Sequence, residues 1–214
     1  MKEFRCLAGI VLFNPDTKRL AENIEAVSGQ CTEVLLIDNG SDDVCETDSM
    51  ISKFNNVTLI KNGENLGIAK ALNKILDYAL AHEYDWFLSL DQDSICAKGL
   101  IPVYAKYVSD NIGQLTCNIA DRNVTNASNI DPLDVEDDKL YKECEACITS
   151  GAFNNTKALA AMGGATERLF IDGVDLDLSM KLRKAGYRIV KVEVNGLLHE
   201  LGKREKYKLF GKTM

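Results

Sequence analysis

The stretch CLAGIVLF, residues 6–13, is an uninterrupted apolar run that Asn-Pro-Asp follows at 14–16. A run of this kind is typical of a strand that is buried on both faces of a sheet. The turn at 14–16 then starts a helix, because Leu20, Ile24 and Val27 recur at intervals of three and four. The sequence therefore begins with a strand, a turn and a helix.

Three more segments are predicted to be strands, at 34–37, 57–60 and 86–90. A helix predicted to start at Gly67 lies between the last two, so strands and helices alternate in this half of the chain. Such alternation indicates an α/β fold with a mostly parallel central sheet flanked by helices. Ligands of these sheets bind beyond the carboxyl ends of the strands, where Asp38 and Asp91 both fall.

The second half of the chain has weaker patterns. We predict helices at 100–108, near 159 and from 173 to 185, and strands at 114–117 and 189–194. Residues 118–143 are polar without a period, and we expect them to form a long surface excursion. Residues 1–202 are expected to form one domain, and residues 203–214 a basic C-terminal tail.

The 214-residue chain carries a net charge of −7, with 46% apolar and 27% charged residues. These values are typical of a globular domain, and the acidic balance argues against nucleic acid as a partner. The odd number of cysteines in a chain of this length favours reduced thiols. The apolar run near the start is too short for a membrane span or a signal segment. We therefore expect a cytoplasmic protein.

Two carboxylates, Asp91 and Asp93, follow the strand at 86–90, with Gln92 between them. Such a pair can bind one divalent cation, Mg²⁺ or Mn²⁺, that keeps some water ligands and takes diphosphate oxygens. An Asp-x-Asp triplet by itself is more often a turn or a helix cap. The position of this triplet at a strand end, opposite Asp38, favours the metal site.

Five segments, in order, resemble the motifs of the family-two inverting glycosyltransferases and are most similar to the bacterial rhamnosyltransferase branch. They are IDNGS at 37–41, NLGIAKALN at 65–73, LDQDS at 90–94, FIDGVD at 170–175 and HELG at 199–202. The resemblance spans about residues 8–202. It implies a GT-A fold, a nucleotide-diphosphate sugar donor built on dTDP or UDP, and Mg²⁺ or Mn²⁺ as cofactor.

The resemblance also implies roles for individual residues. Asp175 would be the general base, although an acidic residue in the first turn of a helix is also typical of a helix cap. Asp91, Asp93 and His199 would hold the metal, and Asp38 would accept the N3–H of a pyrimidine. The other expected nucleotide contacts are Phe13, Asn14, Asn39, Gly40, Asn65, Gly67, Ala71, Asp91 and Gln92. Ser150, Gly151 and Asp172 are expected on the acceptor or donor-sugar side.

These expectations together predict transfer of L-rhamnose from dTDP-rhamnose to a polysaccharide or lipid-linked acceptor. Gly173 and Asp177 depart from the usual residues of the rhamnosyltransferase branch, so a UDP-hexose donor stays open. Two other functions are compatible with the residues: a non-catalytic nucleotide-sugar-binding module, and a glycoside hydrolase that uses two of the carboxylates. The basic tail is either a contact with the cytoplasmic face of the membrane or a solvated chain end.

Overall fold

The computed structural model describes residues 5–43, 45–125, 129–200, 208–209 and 212–213. Its first half alternates strands and helices, as the sequence predicts. The elements are β1 (Cys6–Leu12), α1 (Thr17–Ser28), β2 (Glu33–Asp38), α2 (Cys45–Ile51), β3 (Val57–Lys61), α3 (Ile68–Ala81) and β4 (Trp86–Asp91). The carboxylate of Asp16 caps α1 by accepting hydrogen bonds from the N–H groups of Lys18 and Arg19.

The second half contains shorter elements. They are β5 (Ile95–Cys96), α4 (Leu100–Ala105), β6 (Ile112–Asp121), α5 (Arg122–Thr125), β7 (Tyr141–Glu143), β8 (Ala152–Asn155), α6 (Thr156–Ala161), a 3₁₀ turn at Glu167–Leu169, α7 (Val174–Lys184) and β9 (Arg188–His199). The short strands β10 (Lys208–Leu209) and β11 (Lys212–Thr213) pair with each other.

Several sequence-based boundaries are wrong in this half. The helix expected at 100–108 ends at Ala105, and the strand expected at 114–117 begins at Ile112. The excursion expected at 118–143 begins later, because β6 continues to Asp121, and it contains β7, which pairs with β9. The closing strand runs on to His199 rather than stopping at Val194. Asn118 and Asp121 hid the end of β6, since the extent of this strand is set by pairing with β9 and not by local composition.

The main sheet has the order β3-β2-β1-β4-β8-β6-β9-β5, with β7 on β9. Strands β1 to β4 pair in parallel, as expected, whereas β8 runs antiparallel to both of its neighbours. The sheet is therefore mixed as a whole. In its parallel half, Leu12 pairs with Asp38 and Val11 pairs with Asp91, so the loops after β1, β2 and β4 meet at one edge.

Helices cover both faces of the sheet. One face packs against α1 and α4 through side chains such as Leu20, Ile24 and Tyr104. The other face packs against α3, α6 and α7 through Ile75, Leu159 and others. Within the described ranges, no helix is both long and apolar enough to cross a membrane.

Candidate active site

A cleft of about 580 Å³ opens where the carboxyl ends of β1, β2 and β4 meet. The start of α3, the start of α7 with the loop before it, and the end of β9 complete its lining. The cleft brings together ten of the residues predicted from the sequence. They are Phe13, Asn39, Asn65, Gly67, Asp91, Gln92, Asp93, Asp172, Asp175 and His199.

The three predicted metal ligands lie in contact at the floor of this cleft. The Nε2 of His199 is 3.7 Å from Oδ2 of Asp91, and its Nδ1 is 3.5 Å from Oδ1 of Asp93. The two carboxylates come from the loop after β4, and the imidazole comes from the end of β9. Glu200, the next residue along the chain, forms an ion pair with Arg19 of α1, which anchors the end of β9 beside this loop.

The environment of these groups perturbs their titration. Burial raises the pKa of Asp91, the nearby charge of His199 lowers it, and the neighbouring Asp93 raises it again, with a net upward shift. Burial would also raise the pKa of Asp93, but its hydrogen bond and charge interaction with His199 outweigh that effect and hold the pKa below its usual range. Two neighbouring carboxylates that repel each other, as the effect of Asp93 on the pKa of Asp91 indicates, favour a cation between them.

The donor set fits a divalent ion that is shared with a ligand. Carboxylate oxygens and an imidazole nitrogen are ordinary ligands of Mn²⁺ and, for the oxygens, of Mg²⁺. In the described part of the chain, however, no group of three or more His, Cys, Asp or Glu side chains is arranged to hold a metal ion by itself. Such ions are commonly bound by one or two carboxylates together with substrate phosphates. The site therefore suits an ion that binds with a diphosphate.

Buried serines support the floor of the cleft from behind. Ser150 accepts a hydrogen bond of 3.0 Å from the backbone N–H of Asp91, and its hydroxyl lies 2.8 Å from that of Ser94. Ser94 in turn lies 3.0 Å from Nδ1 of His199. Ser150 is 1% exposed and does not line the cleft. The structure places it behind the two aspartates, rather than on the sugar side as expected from the sequence.

Gly151 and Ala71 are also placed away from the cleft. Gly151 has a φ of 77° and donates its N–H to the backbone oxygen of Ser89, and Thr149 lines the cleft in its stead. Ala71 is fully buried in the core between α3 and the sheet. The expected nucleotide contact of Ala71 is therefore not supported: its side chain is a core residue.

Asparagine side chains organise the end of the cleft near β2. Asn39 donates to Oδ1 of Asn65 at 2.9 Å, and its own Oδ1 accepts from the side chain of Asn62 and from the backbone N–H of Leu66. Asn65 also accepts from the N–H of Gly67. This network joins the ends of β2 and β3 to the start of α3, so it fixes the shape of that end of the cleft.

Asp38 lies beside this network but does not line the cleft. It is 4% exposed, and its carboxylate accepts from the backbone N–H of Ser41 at 3.3 Å. Asn14 also lies outside the lining. Its side chain exchanges hydrogen bonds with Asp42, and its backbone N–H donates to the hydroxyl of Ser41. Gly40 has a φ of 86°, and a Cβ there would lie 2.6 Å from the backbone of Glu64. These residues shape the turn, and their contacts with a nucleotide stay predictions.

Gln92 acts as a clamp between two loops. Its Oε1 accepts from the backbone N–H of Phe13 at 2.8 Å, and its Nε2 donates to the backbone oxygen of Phe13 at 3.2 Å. Both functions of the amide are thus used within the protein. The ring of Phe13, 46% exposed, lines the cleft. The clamp sets the position of this aromatic wall.

Asp175 reaches the cleft because of its place on α7. It lies three and seven residues before Leu178 and Leu182, both buried, and therefore on the same helical face. At Asp175, one turn before Leu178, that face borders the cleft and not the core. Its Oδ1 accepts from the N–H of Leu176 at 2.8 Å. A carboxylate at this point can receive a proton from a hydroxyl that enters the cleft.

Sequence reasoning missed several residues of the lining. Phe170 and Ile171 are 47% and 60% exposed and form part of the wall before α7. Phe170 has a φ of 58°, which is unusual for a bulky residue. No period or turn signal marks such a conformation, although both residues stand in the FIDGVD segment that carried the resemblance.

Gly67 sets the position of the cleft wall directly. With φ 81° and ψ 162° it adopts a conformation that is almost restricted to glycine. A Cβ there would lie 2.6 Å from the backbone oxygen of Phe170. We expect Gly67→Ala to lower the free energy of unfolding by about 2–5 kcal/mol, from backbone strain and overpacking together. It should also weaken nucleotide binding, because Phe170 must move.

Gly63→Ala is the matched control for this variant. Gly63 also has a positive φ, 75°, but a Cβ there would meet nothing within 4 Å. We expect it to cost about 1–2 kcal/mol, from the backbone alone, and to leave nucleotide binding unchanged. Denaturant unfolding and calorimetry with a nucleoside diphosphate measure both effects. Equal results for the two variants would show that the contact with Phe170 is irrelevant.

The predicted basic tail at 203–214 is outside the described residues, apart from the backbone of β10 and β11. The contact of this tail with a membrane is therefore untested by the structure. Leu201 and Gly202, the last two residues of the HELG segment, also lie outside the described residues.

Comparison with known proteins identifies the family. The model of Glycosyl transferase family 2 matches residues 8–162. A dTDP-rhamnosyl transferase of Shigella flexneri, RfbF, is 24% identical over 210 residues, which cover 91% of this chain and 69% of that protein. The chain belongs to glycosyl transferase family 2. The family predicted from the ordered motifs is thus confirmed, and with it the enzyme class, a glycosyltransferase.

Solved structures confirm the fold. GalNAc-T7, crystallised with UDP, GalNAc and Mn²⁺, superposes with a TM-score of 0.71 at 16% identity, over 99% of this chain and 45% of that one. TarS of S. aureus superposes with a TM-score of 0.70 at 15% identity, over 92% of this chain and 37% of that one. The fold is of the GT-A type. The chain spans less than half the length of these two structures.

Proposed function

We propose that this protein is an inverting glycosyltransferase that moves a sugar, L-rhamnose from dTDP-rhamnose, to a hydroxyl of a polysaccharide or lipid-linked acceptor. The observation that carries the proposal is the arrangement of one cleft. Asp91, Asp93 and His199 lie at its floor, and Asp175 lies on its wall. A diphosphate site and a proton acceptor beside the same space are what a single displacement at the sugar carbon requires.

Different residues of the cleft have different proposed roles. The asparagine network of Asn39 and Asn65 and the aromatic wall of Phe13 shape the end that would receive the nucleoside. Asp175 takes the proton of the acceptor hydroxyl as its oxygen attacks the sugar carbon. The nucleoside diphosphate leaves from the opposite side, so the configuration at that carbon inverts.

Asp91, Asp93 and His199 would hold Mg²⁺ or Mn²⁺, which supplies positive charge to the departing diphosphate. The Mn²⁺ and UDP that accompany the similarly folded GalNAc-T7 support such a pairing. The name of the S. flexneri relative supports rhamnose and dTDP as parts of the donor. The acceptor class is inferred from the resemblance to the rhamnosyltransferase branch. The proposed location is the cytoplasm, with the basic tail as a candidate contact with the inner membrane face.

A panel of sugar nucleotides tests the proposal. With Mg²⁺ or Mn²⁺ present, we expect dTDP-rhamnose to be consumed, with release of dTDP, faster than UDP-glucose or UDP-galactose. Faster turnover of a UDP-hexose would show that the donor is a UDP-hexose and not dTDP-rhamnose, while the proposed reaction, sugar transfer with inversion, would stand. Binding of a donor without turnover, in the presence of metal and a membrane extract that contains acceptors, would instead indicate a non-catalytic binding module.

A further inference from the structure

A loop between α6 and α7 forms one wall of the cleft, and a side chain of α3 grips its base. This wall loop comprises residues 163–173. The Oδ1 of Asn73 accepts from the backbone N–H of Ala165 at 2.8 Å, and its Nδ2 donates to the backbone oxygen of Ala165 at 3.0 Å. Gly164 permits this approach, because a Cβ there would lie 2.4 Å from the Oδ1 of Asn73. The amide of Asn73 thus binds one residue of the loop at both of its backbone polar groups.

Side chains of α7 grip the same base from the other side. The carboxylate of Asp177 accepts from the backbone N–H of Thr166 at 2.9 Å and from its hydroxyl at 3.1 Å. Lys181, one turn along α7, donates to the backbone oxygen of Gly164 at 2.8 Å and forms an ion pair of 3.1 Å with Asp177. Three consecutive residues of the loop are therefore bonded by side chains of two helices.

The top of the wall loop is held by α3 as well. The backbone N–H of Ala69 donates to the backbone oxygen of Phe170 at 3.1 Å. Ala69 and Asn73 are four residues apart, so they lie on one face of α3, one turn from each other. The same helix that begins beside the nucleoside end of the cleft therefore fixes both the base and the top of the wall loop.

We propose that Asn73 and Asp177 are positioning residues for sugar transfer: they fix the wall loop against α3 and α7, and so set the distance between Asp175 and the donor. The inference rests on the proposed function of the cleft. Asp177 stands two residues after Asp175 on α7, and the loop runs directly into that helix. Asn73, which the resemblance places beside the nucleoside, has its amide occupied by the loop instead.

The size of the effect follows from the geometry of group transfer. A misplacement of the reacting groups by about 1 Å can slow a reaction by about 100-fold. Asn73→Ala and Asp177→Ala are expected to lower kcat by about 10–100-fold. The Kd for the nucleoside diphosphate should change by less than about twofold, because the asparagine network stays intact and the N–H of Ala69 still holds Phe170 at the top of the wall loop.

Amide hydrogen exchange measures how firmly the wall loop is held, and it needs no substrate. In the free protein we expect faster exchange at residues 163–173 in both variants, with the N–H of Ala165 exposed by Asn73→Ala and that of Thr166 by Asp177→Ala. Asp77→Ala, an exposed position on α3, is the matched control and should change neither exchange nor kcat. Asn73→Asp, which keeps the size and the acceptor but loses the donor, serves if the alanine variant does not fold.

The double variant separates positioning from simple stabilisation. Each single change releases the same loop, so the two effects on kcat should be strongly non-additive. Unchanged kcat in the folded fraction of both single variants, or kcat losses that multiply in the double variant, would overturn the inference. If the parent protein transfers no sugar from any donor, the proposed function fails. Unchanged exchange at 163–173 would overturn the positioning role in that case too.

Discussion

Asp175→Asn is expected to slow sugar transfer by about 10²–10⁴-fold, the usual effect of losing a general base. The asparagine has the same shape but cannot take the proton of the acceptor. Because Asp175 lies on the wall formed by α7 and not at the nucleoside end of the cleft, the Kd for dTDP should stay nearly unchanged. Initial rates at saturating donor and calorimetry with dTDP measure the two quantities.

Asp172→Asn is the natural comparison for this variant. Asp172 is exposed and lines the same wall three residues earlier. We expect its replacement to alter KM for the acceptor or donor more than kcat, since our proposal places Asp172 on the sugar side and assigns the proton transfer to Asp175. If the Asp175 variant turns over at the parental rate, Asp175 is only a residue of the first helical turn, and another base must be sought.

The second large effect concerns the metal, which is expected to bind cooperatively with the nucleotide. The described residues do not present a complete set of metal-binding side chains, so diphosphate oxygens have to supply the remaining ligands. We expect weak binding of Mn²⁺ to the protein alone. Chelation of the metal should lower the affinity for dTDP by about 100-fold, the equivalent of about 2.8 kcal/mol.

Two variants bracket this prediction. Asp93→Asn should abolish the effect of Mn²⁺ on dTDP affinity, because a charged ligand is lost from the floor of the cleft. Asp77→Asn removes an equal charge from the exposed face of α3 and should behave like the parent. Calorimetric titration of dTDP with Mn²⁺ and with EDTA gives the comparison. Equal affinities with Mn²⁺ and with EDTA would show that nucleotide binding does not depend on a metal ion.

The half of the site that lies on strand ends could be predicted from the sequence. Apolar runs in the sequence indicate buried parallel strands. The residues after these strands converge because the carboxyl ends of β1, β2 and β4 lie at one edge of the sheet. Asp91 and Asp93 follow from that rule. Ala71 was expected to contact the nucleotide only because of the family resemblance. It belongs to the apolar stripe of α3, and that pattern already indicated a core position.

The other half of the site depends on contacts between distant parts of the chain. The antiparallel strand β8 and the continuation of β9 to His199 are set by strand pairing, which local composition does not encode. The wall before α7 depends on Phe170 in a conformation that its type disfavours, held by Ala69. Ser150 occupies a buried position behind Asp91 that only the folded chain defines.

The anomeric configuration of the transferred sugar shows whether the transfer is a single displacement assisted by Asp175. Proton NMR of the protein with dTDP-rhamnose, Mn²⁺ replaced by Mg²⁺ to avoid line broadening, follows the first sugar product formed on an acceptor alcohol or on water. We expect release of dTDP together with a product of the opposite anomeric configuration to the donor, and we expect Asp175→Asn to suppress both. A product that retains the configuration of the donor would contradict a single displacement assisted by Asp175.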